Sequence, residues 1–278
     1  MGYRTIALSV LLLCASEGYA QVKGYFANWD NRVRKTMGQQ PDWVVPLVAD
    51  PAGVYQLLRV DNLREISSAH VTSWNYGDDK GFILIPWYKT ELDLFTPPYV
   101  QYSPTGKDGF GDPEFQLKYR PWSANNEHGD YSVNFGLEGS IPTGSYKNGS
   151  PTANVIPNFS VGKGRGSWDV QTHLEAKLPV SQGGTLGRPI TWDTVIQDHP
   201  GSVFWPELED DTTFNVGGPS GGTVQNFLLP GLMFDQFRLL HHRPSNRLAL
   251  LFGAGIQIAT THYHSYDHSL VITGRLNF

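Results

Sequence analysis

The chain has 278 residues and a formal net charge of −5 at neutral pH, with no basic stripe to pair with phosphates, which excludes a nucleic-acid surface. Thirty Gly, 19 Pro, eight Trp, 13 Tyr and 14 Phe favour many strands and turns, with aromatics available for membrane-interface girdles. The single cysteine, Cys14, excludes a disulfide scaffold and a thiolate metal site.

At the N-terminus, Arg4 precedes an apolar run from Ile6 to Cys14, and Gly18-Tyr19-Ala20 supplies the small residues of a cleavage site. This predicts a signal peptide over 1–20 and a mature chain from Gln21, without the cysteine. Bulky Leu13 opposes lipid attachment at Cys14. The run falls short of the ~20 apolar residues of a membrane-spanning helix, and no later segment reaches that length. An integral membrane protein with this sequence is therefore a closed barrel.

Residues 21–53 read as a periplasmic lead-in, with Trp29, Trp43, Pro41, Pro46 and Pro51, no sustained period, and room for one strand near Gly24 to Trp29. The barrel is expected over 54–278, with Val54 to Asn62 as its first or second strand. From Tyr88 onward, apolar and polar residues alternate with the period of two that a strand imposes. Tyr88 to Phe95, Asp112 to Arg120, Tyr131 to Ile141 and Trp168 to Val180 alternate most clearly. Ala153 to Gly162, Ile190 to Gln197 and Phe204 to Thr213 are weaker. Val224 to Phe234 and Leu248 to Thr260 have no distinctly wet face.

The final stretch, Ser269 to Phe278, sets Leu270, Ile272, Gly274, Leu276 and Phe278 on one face. It resembles the closing strand of an outer-membrane barrel, with Phe278 as an assembly signal read by the outer-membrane assembly machinery. A soluble sandwich would give the same alternation with the faces reversed. The export signal, strands of ~9–12 residues and the terminal Phe favour the membrane. The expectation is an all-β, transmembrane, antiparallel up-and-down β-barrel of about twelve strands, with ten as the alternative. It would lie among membrane lipid and lipopolysaccharide in the outer membrane of a Gram-negative-type envelope. Counting back from Phe278 puts 96–111, 143–151, 181–187, 214–223 and 260–267 outside, and 122–129, 163–167 and 197–201 at the periplasm.

Gly109-Phe110-Gly111-Asp112 with Leu117-Lys118-Tyr119-Arg120, Pro142-Thr143-Gly144, Gly162-Lys163-Gly164 before Trp168-Asp169-Val170-Gln171, and Trp205-Pro206-Glu207-Leu208-Glu209 carry a family resemblance. Pro230-Gly231-Leu232, Gly255-Ile256-Gln257-Ile258-Ala259 and Phe278 extend it. In these motifs the chain resembles the outer-membrane proteins named for the meta-pathway of phenol degradation, usually described as transporters. The resemblance implies a barrel associated with uptake of small hydrophobic or aromatic compounds by passive or facilitated diffusion. It implies no catalytic residue and no cofactor.

Glu114, Lys118, Arg120, Glu138, Asp169, His173, Glu175, Lys177 and Arg275 are candidates for the lumen wall. Such a set of both signs either orders solutes by charge or closes a narrow barrel with salt bridges. A non-conducting structural or adhesion barrel, with loops that bind partners, is the alternative function. His262, His264 and His268 invite a metal reading, against which stands a His-rich outer loop. A hydrolase would need a Ser beside a His base. His264-Ser265 and His268-Ser269 point to opposite faces of an extended strand, and Asp210-Asp211 reads as a solvated loop.

Overall fold

The computed structural model describes residues 24–103, 107–145, 148–201, 203–239 and 247–278; the signal peptide expected at 1–20 lies outside them. In chain order the strands are β1 (Leu57–Ile66), β2 (Thr72–Trp87), β3 (Thr90–Phe95), β4 (Tyr99–Ser103), β5 (Gly109–Phe110), β6 (Glu114–Ala124), β7 (Tyr131–Ser140) and β8 (Asn154–Arg165). They continue as β9 (Trp168–Ala176), β10 (Leu178–Pro179), β11 (Ile190–Asp198), β12 (Phe204–Phe214), β13 (Val224–Arg238), β14 (Ala249–Ala259) and β15 (His268–Asn277).

Among the described residues, twelve of these strands form one closed antiparallel ring, each paired with the next barrel strand in sequence. β15 closes it on β1, from Leu57 opposite Asn277 to Ile66 opposite His268. Closure removes the sheet edge, and every strand backbone then finds its partners within the wall. β4 pairs with the far-rim half of β2 beyond the stretch that β3 covers, β5 pairs with β4, and β10 adds a short pairing to β8.

The side chains sort as the alternation requires. Tyr119, Trp122, Phe135, Leu137, Phe252, Ile256 and Ile272 are exposed on the outer face, while Lys118, Arg120, Ser132, Asn134, Gln171, Thr273 and Arg275 are buried inside. Trp87, Trp122 and Trp168 lie at strand ends near one rim, and Tyr76, Tyr99 and Phe110 stand at the other, as interfacial belts would. The first rim, here the near rim, carries the ends at which β2 leads to β3, β6 to β7, β8 to β9, β11 to β12 and β13 to β14. In the tight 166–167 join, Gly166 takes a φ of +68°, which a side chain would resist. The far rim carries 67–71, 96–113, 141–153, 177–189, 215–223 and 260–267, so the sequence grouped the loops by rim correctly.

Three expectations are corrected. The region near Gly24 to Trp29, read as room for a strand, is helical at 24–27, and a helix α1 (Trp29–Met37) follows. Trp29, Val33 and Met37 recur at helical spacing, and Val33 packs with Val54 and Ile85 beneath the near rim. The strand that completes the twelve is β2, which was not foreseen. Its alternation is broken by a bulge: two register shifts against β1 around Asp61 accommodate extra residues at 77–80, with Gly77 and Asp79 at positive φ. The charged run Asp78-Asp79-Lys80 therefore reads as a turn, although the strand continues through it. Asp210 and Asp211, read as loop residues, lie within β12.

Candidate functional site: the plugged lumen

Residues 40–56 run inside the barrel, and Trp43, Val44, Val45, Leu47, Ala49, Ala52, Val54 and Tyr55 are buried there. This segment has no ladder of its own, so each backbone N–H and C=O taken out of water needs a partner from the wall. The wall supplies them by charge type. On β12, Glu207 accepts from Leu47 N at 3.1 Å, and Glu209 accepts from Ala49 N at 2.7 Å and Val48 N at 3.1 Å. Three strands further round, on β15, the Arg275 guanidinium donates to the carbonyls of Val45, Pro46 and Leu47, the last two at 2.5 and 3.4 Å. Arg59 on β1 donates to Leu47 O at 2.9 Å, held in turn by Asp61 at 2.7 Å.

The next turn of the segment uses the opposite wall. Asn134 on β7 donates to Pro51 O and Gly53 O at 3.1 and 3.3 Å; Ser132 donates to Ala52 O at 2.7 Å. Gln171 on β9 accepts from Ala52 N at 3.0 Å, and Glu91 on β3 accepts from Tyr55 N. Gln40 exchanges two 2.9 Å hydrogen bonds with Val54, and Arg120 on β6 ties Gln40 and the Thr36 carbonyl to the wall. Partners thus come from strands all round the ring, and the segment is a plug.

An ion cluster fixes the plug's tip. Lys118 Nζ lies 2.7 Å from Asp50 and 2.9 Å from Glu91, and His173 lies 3.5 Å from Asp50. Burial would raise the Asp50 carboxyl, but Lys118 and His173 outweigh it and hold it below the usual carboxylate range. Burial, with Asp169 and Glu91 nearby, pushes the Tyr55 hydroxyl far above its ordinary value; that hydroxyl stays protonated and donates to Trp43 O at 3.3 Å.

The apolar half of the plug explains the two strands with no wet face. Val44 and Leu47 join Leu63, Trp205, Leu229, Met233, Leu251 and Val271 in one buried cluster. Leu47 enters a hollow made by glycines: a Cβ on Gly231 would come within 2.4 Å of its side chain, and one on Gly255 within 2.8 Å. Full burial of a leucine is worth about 1.5–3 kcal/mol, so this contact and the polar clamps act together.

Beyond the plug the lumen stays open. A cavity of about 280 Å³ begins at Val45, Val48, Asp50 and Tyr55 and adjoins a second of about 390 Å³ through Asp79, Phe95, Glu114 and Lys177. The second reaches Asn148, Gly149 and Ser150 in a far-rim loop. The β2 bulge contributes here, because it delivers both Asp78 and Asp79 to the cavity walls.

Eight of the nine residues proposed from sequence fall into two groups. Lys118, Arg120 and Arg275 are buried against the plug or its helix, and Glu114, Glu138, His173, Glu175 and Lys177 line the cavity. Asp169 is buried on β9 beside Gln171, accepting from its amide at 3.0 Å. Charges of both signs thus meet the plug at one level of the lumen and line a cavity at the other. Sequence reasoning missed Arg59, Glu91, Glu207, Glu209, Ser132, Asn134 and Gln171. Glu207 and Glu209 stood in view, since alternate carboxylates on a strand share its inner face, and Glu91, Ser132, Asn134 and Gln171 lie on the polar faces of strands whose alternation is clear; only Arg59 sits in the irregular start of β1.

At the far rim, His264 donates through Nδ1 to Thr261 O at 2.7 Å, while its Nε2 faces both Asp267 at 2.9 Å and Ser68 Oγ at 3.3 Å. Asp267 and Ser68 share one ring nitrogen, which is not the relay of a Ser-His-Asp triad, where the acid and the nucleophile use opposite nitrogens. Among the described residues, no three His, Cys, Asp or Glu are grouped to hold a metal.

Residues 47–189 match the family described as "Putative MetA-pathway of phenol degradation". The chain belongs to that family. The match begins inside the plug and includes β1 to β9, while the motifs at 205–209, 230–232 and 255–259 lie beyond it. No curated protein matches the chain. Among solved structures, one described as "NanC porin structure in rhombohedral crystal form" is 10% identical, with a TM-score of 0.50, over 80% of this chain and 98% of that one. The likeness is one of fold: this family member is a porin-like β-barrel.

Proposed function

We propose that the protein is an outer-membrane channel whose lumen is closed on the periplasmic side by its own residues 40–56, and that its solutes are the small hydrophobic or aromatic compounds with which the family is associated. The observation that carries this reading is the division of the lumen. A cavity runs inward from the far-rim loops and ends on a segment held by hydrogen bonds, ion pairs and one apolar hollow, with no strand pairing. Such a segment is free to be displaced while the ring of strand pairing stays intact. The far rim then faces the outside, consistent with its longer loops.

Planar-bilayer recording tests it. The intact chain is expected to pass little current, and a chain lacking residues 21–53 to open a steady conductance. If neither conducts, the channel reading fails.

The occluded lumen also favours a second reading, a structural or adhesion barrel in which the plug stiffens the wall permanently. Silence of both chains in the bilayer, with the shortened barrel less resistant to heat, supports that reading instead.

A further inference from the structure

On the inner face, one row of side chains crosses five neighbouring strands at the same level: Ile83, Asp93, Gln116, Glu138 and Ile156, each directly opposite the next. All five line the cavity above the plug. Adjacent strands lie about 4.8 Å apart, so the carboxylates of Asp93 and Glu138 stand roughly 10 Å apart along the wall, framed by two isoleucines. The plug's Val48 and Tyr55, with Phe95, add further apolar surface to the same cavity.

The carboxylates of this cavity differ in what they have for partners. Asp50 and Glu91 share Lys118, and Asp79 lies 3.2 Å from Arg59. Asp93, Glu114, Glu138 and Asp193 have no cation within ion-pair reach among the described residues. Asp93 is 98% buried by side-chain and backbone neighbours, at 2% exposure, and its Oδ1 has no hydrogen-bond partner. A buried carboxylate oxygen without donor or cation is costly, and it is relieved when a positive group is brought to it.

We propose that this cavity binds a small organic cation, with the ammonium group at Asp93, Glu138 adding attraction from farther along the wall, and the apolar body against Ile83 and Phe95. The proposal gives the channel reading a solute class and rests on it. Two features separate this ligand from a metal ion. A hard cation needs six or more oxygens gathered at 2–2.6 Å, and the described carboxylates are spread along the wall without such a cluster. A metal would also gain nothing from Ile83 and Phe95, whereas an aryl or alkyl ammonium matches both surfaces.

Equilibrium dialysis of the folded full chain in neutral detergent tests this with benzylammonium, its neutral analogue benzyl alcohol, and benzoate. Benzylammonium is expected to bind at least about tenfold more tightly than benzyl alcohol, because only it makes a charge-assisted contact, and benzoate more weakly than either. Asp93→Asn and Glu138→Gln should each bring benzylammonium towards benzyl alcohol while the barrel keeps its heat-dependent electrophoretic shift. Equal binding of the amine and the alcohol, an unchanged affinity in Asp93→Asn, or tighter occupancy by Ca²⁺ than by the amine would overturn the proposal. Absence of this selectivity in a protein whose shortened form conducts removes the solute class and leaves the channel. Selective binding in a protein that never conducts leaves the site and removes the channel.

Discussion

Replacing Arg275 tests the plug most directly, because one guanidinium holds three consecutive carbonyls of the segment, those of Val45, Pro46 and Leu47. In Arg275→Gln the two closer carbonyls lose their donors, and the 3.4 Å contact to Leu47 O was weak, with Arg59 still donating there at 2.9 Å. Each buried acceptor left without a partner costs about 1–3 kcal/mol, giving roughly 2–6 kcal/mol for the pair if water stays out. Water that enters with the shorter side chain recovers part of this, so the lower figure of ~2 kcal/mol is the working value. At about 1.4 kcal/mol per tenfold change, the ratio of released to seated plug rises roughly 30-fold. Open probability in a planar bilayer reads that ratio, and hydrogen exchange at residues 47–49 reads it independently of conduction. Arg275→Lys keeps the charge but not the planar fork, and should fall between the two. If Arg275→Gln changes neither open probability nor exchange while the barrel remains folded, the clamp does not hold the plug.

Gly231→Val places a side chain where Leu47 now sits, since even a Cβ would come within 2.4 Å of it; bilayer current should rise with the barrel's heat-dependent electrophoretic shift retained, and a silent, folded variant would show that the hollow is not needed for sealing. In the far-rim loop, hydrogen bonds to Thr261 and Asp267 raise the His264 pKa, so its contribution is complete below the ordinary value of 6.5 and fades as pH rises through the raised one. Ser68 lowers the Asp267 pKa, so that contribution is complete above 3.8 and fades as pH falls through the lowered one. Exchange protection of residues 260–267 is therefore expected to be greatest between pH 3.8 and 6.5, and a profile flat from pH 3 to 9 would count against the pairing. Phe278 meets Phe82 edge-on at 6.5 Å, and its carbonyl accepts from Gln56 at 3.2 Å. Deleting Phe278 should lower the amount of assembled barrel in the outer membrane; unchanged levels would dispose of its role as an assembly signal.

The wall was legible because a strand's two faces meet different surroundings, and the alternation of Phe115, Leu117 and Tyr119 against Gln116, Lys118 and Arg120 records that directly. The ten strands from Tyr88 onward followed from it. β2 escaped because its bulge brings Asp78 and Asp79 into the wall, and a device that serves the cavity is what broke the period. The even faces of β13 and β14 follow from Leu47, which packs against their glycines and Leu229.

By itself, then, the sequence determined the closed ring, its loops by rim, and the inward direction of Lys118, Glu138, His173 and Arg275, since each depends only on a period of two along one strand. Only the tertiary structure decided what fills the ring. Residues 40–56 have no period because they follow no lattice of their own; their backbone is satisfied by Glu209, Arg275, Gln171 and Asn134, side chains more than 80 positions away in the chain. Contacts that distant leave no local pattern, and the division of the lumen into a sealed end and an acidic cavity appears only when the barrel closes around them.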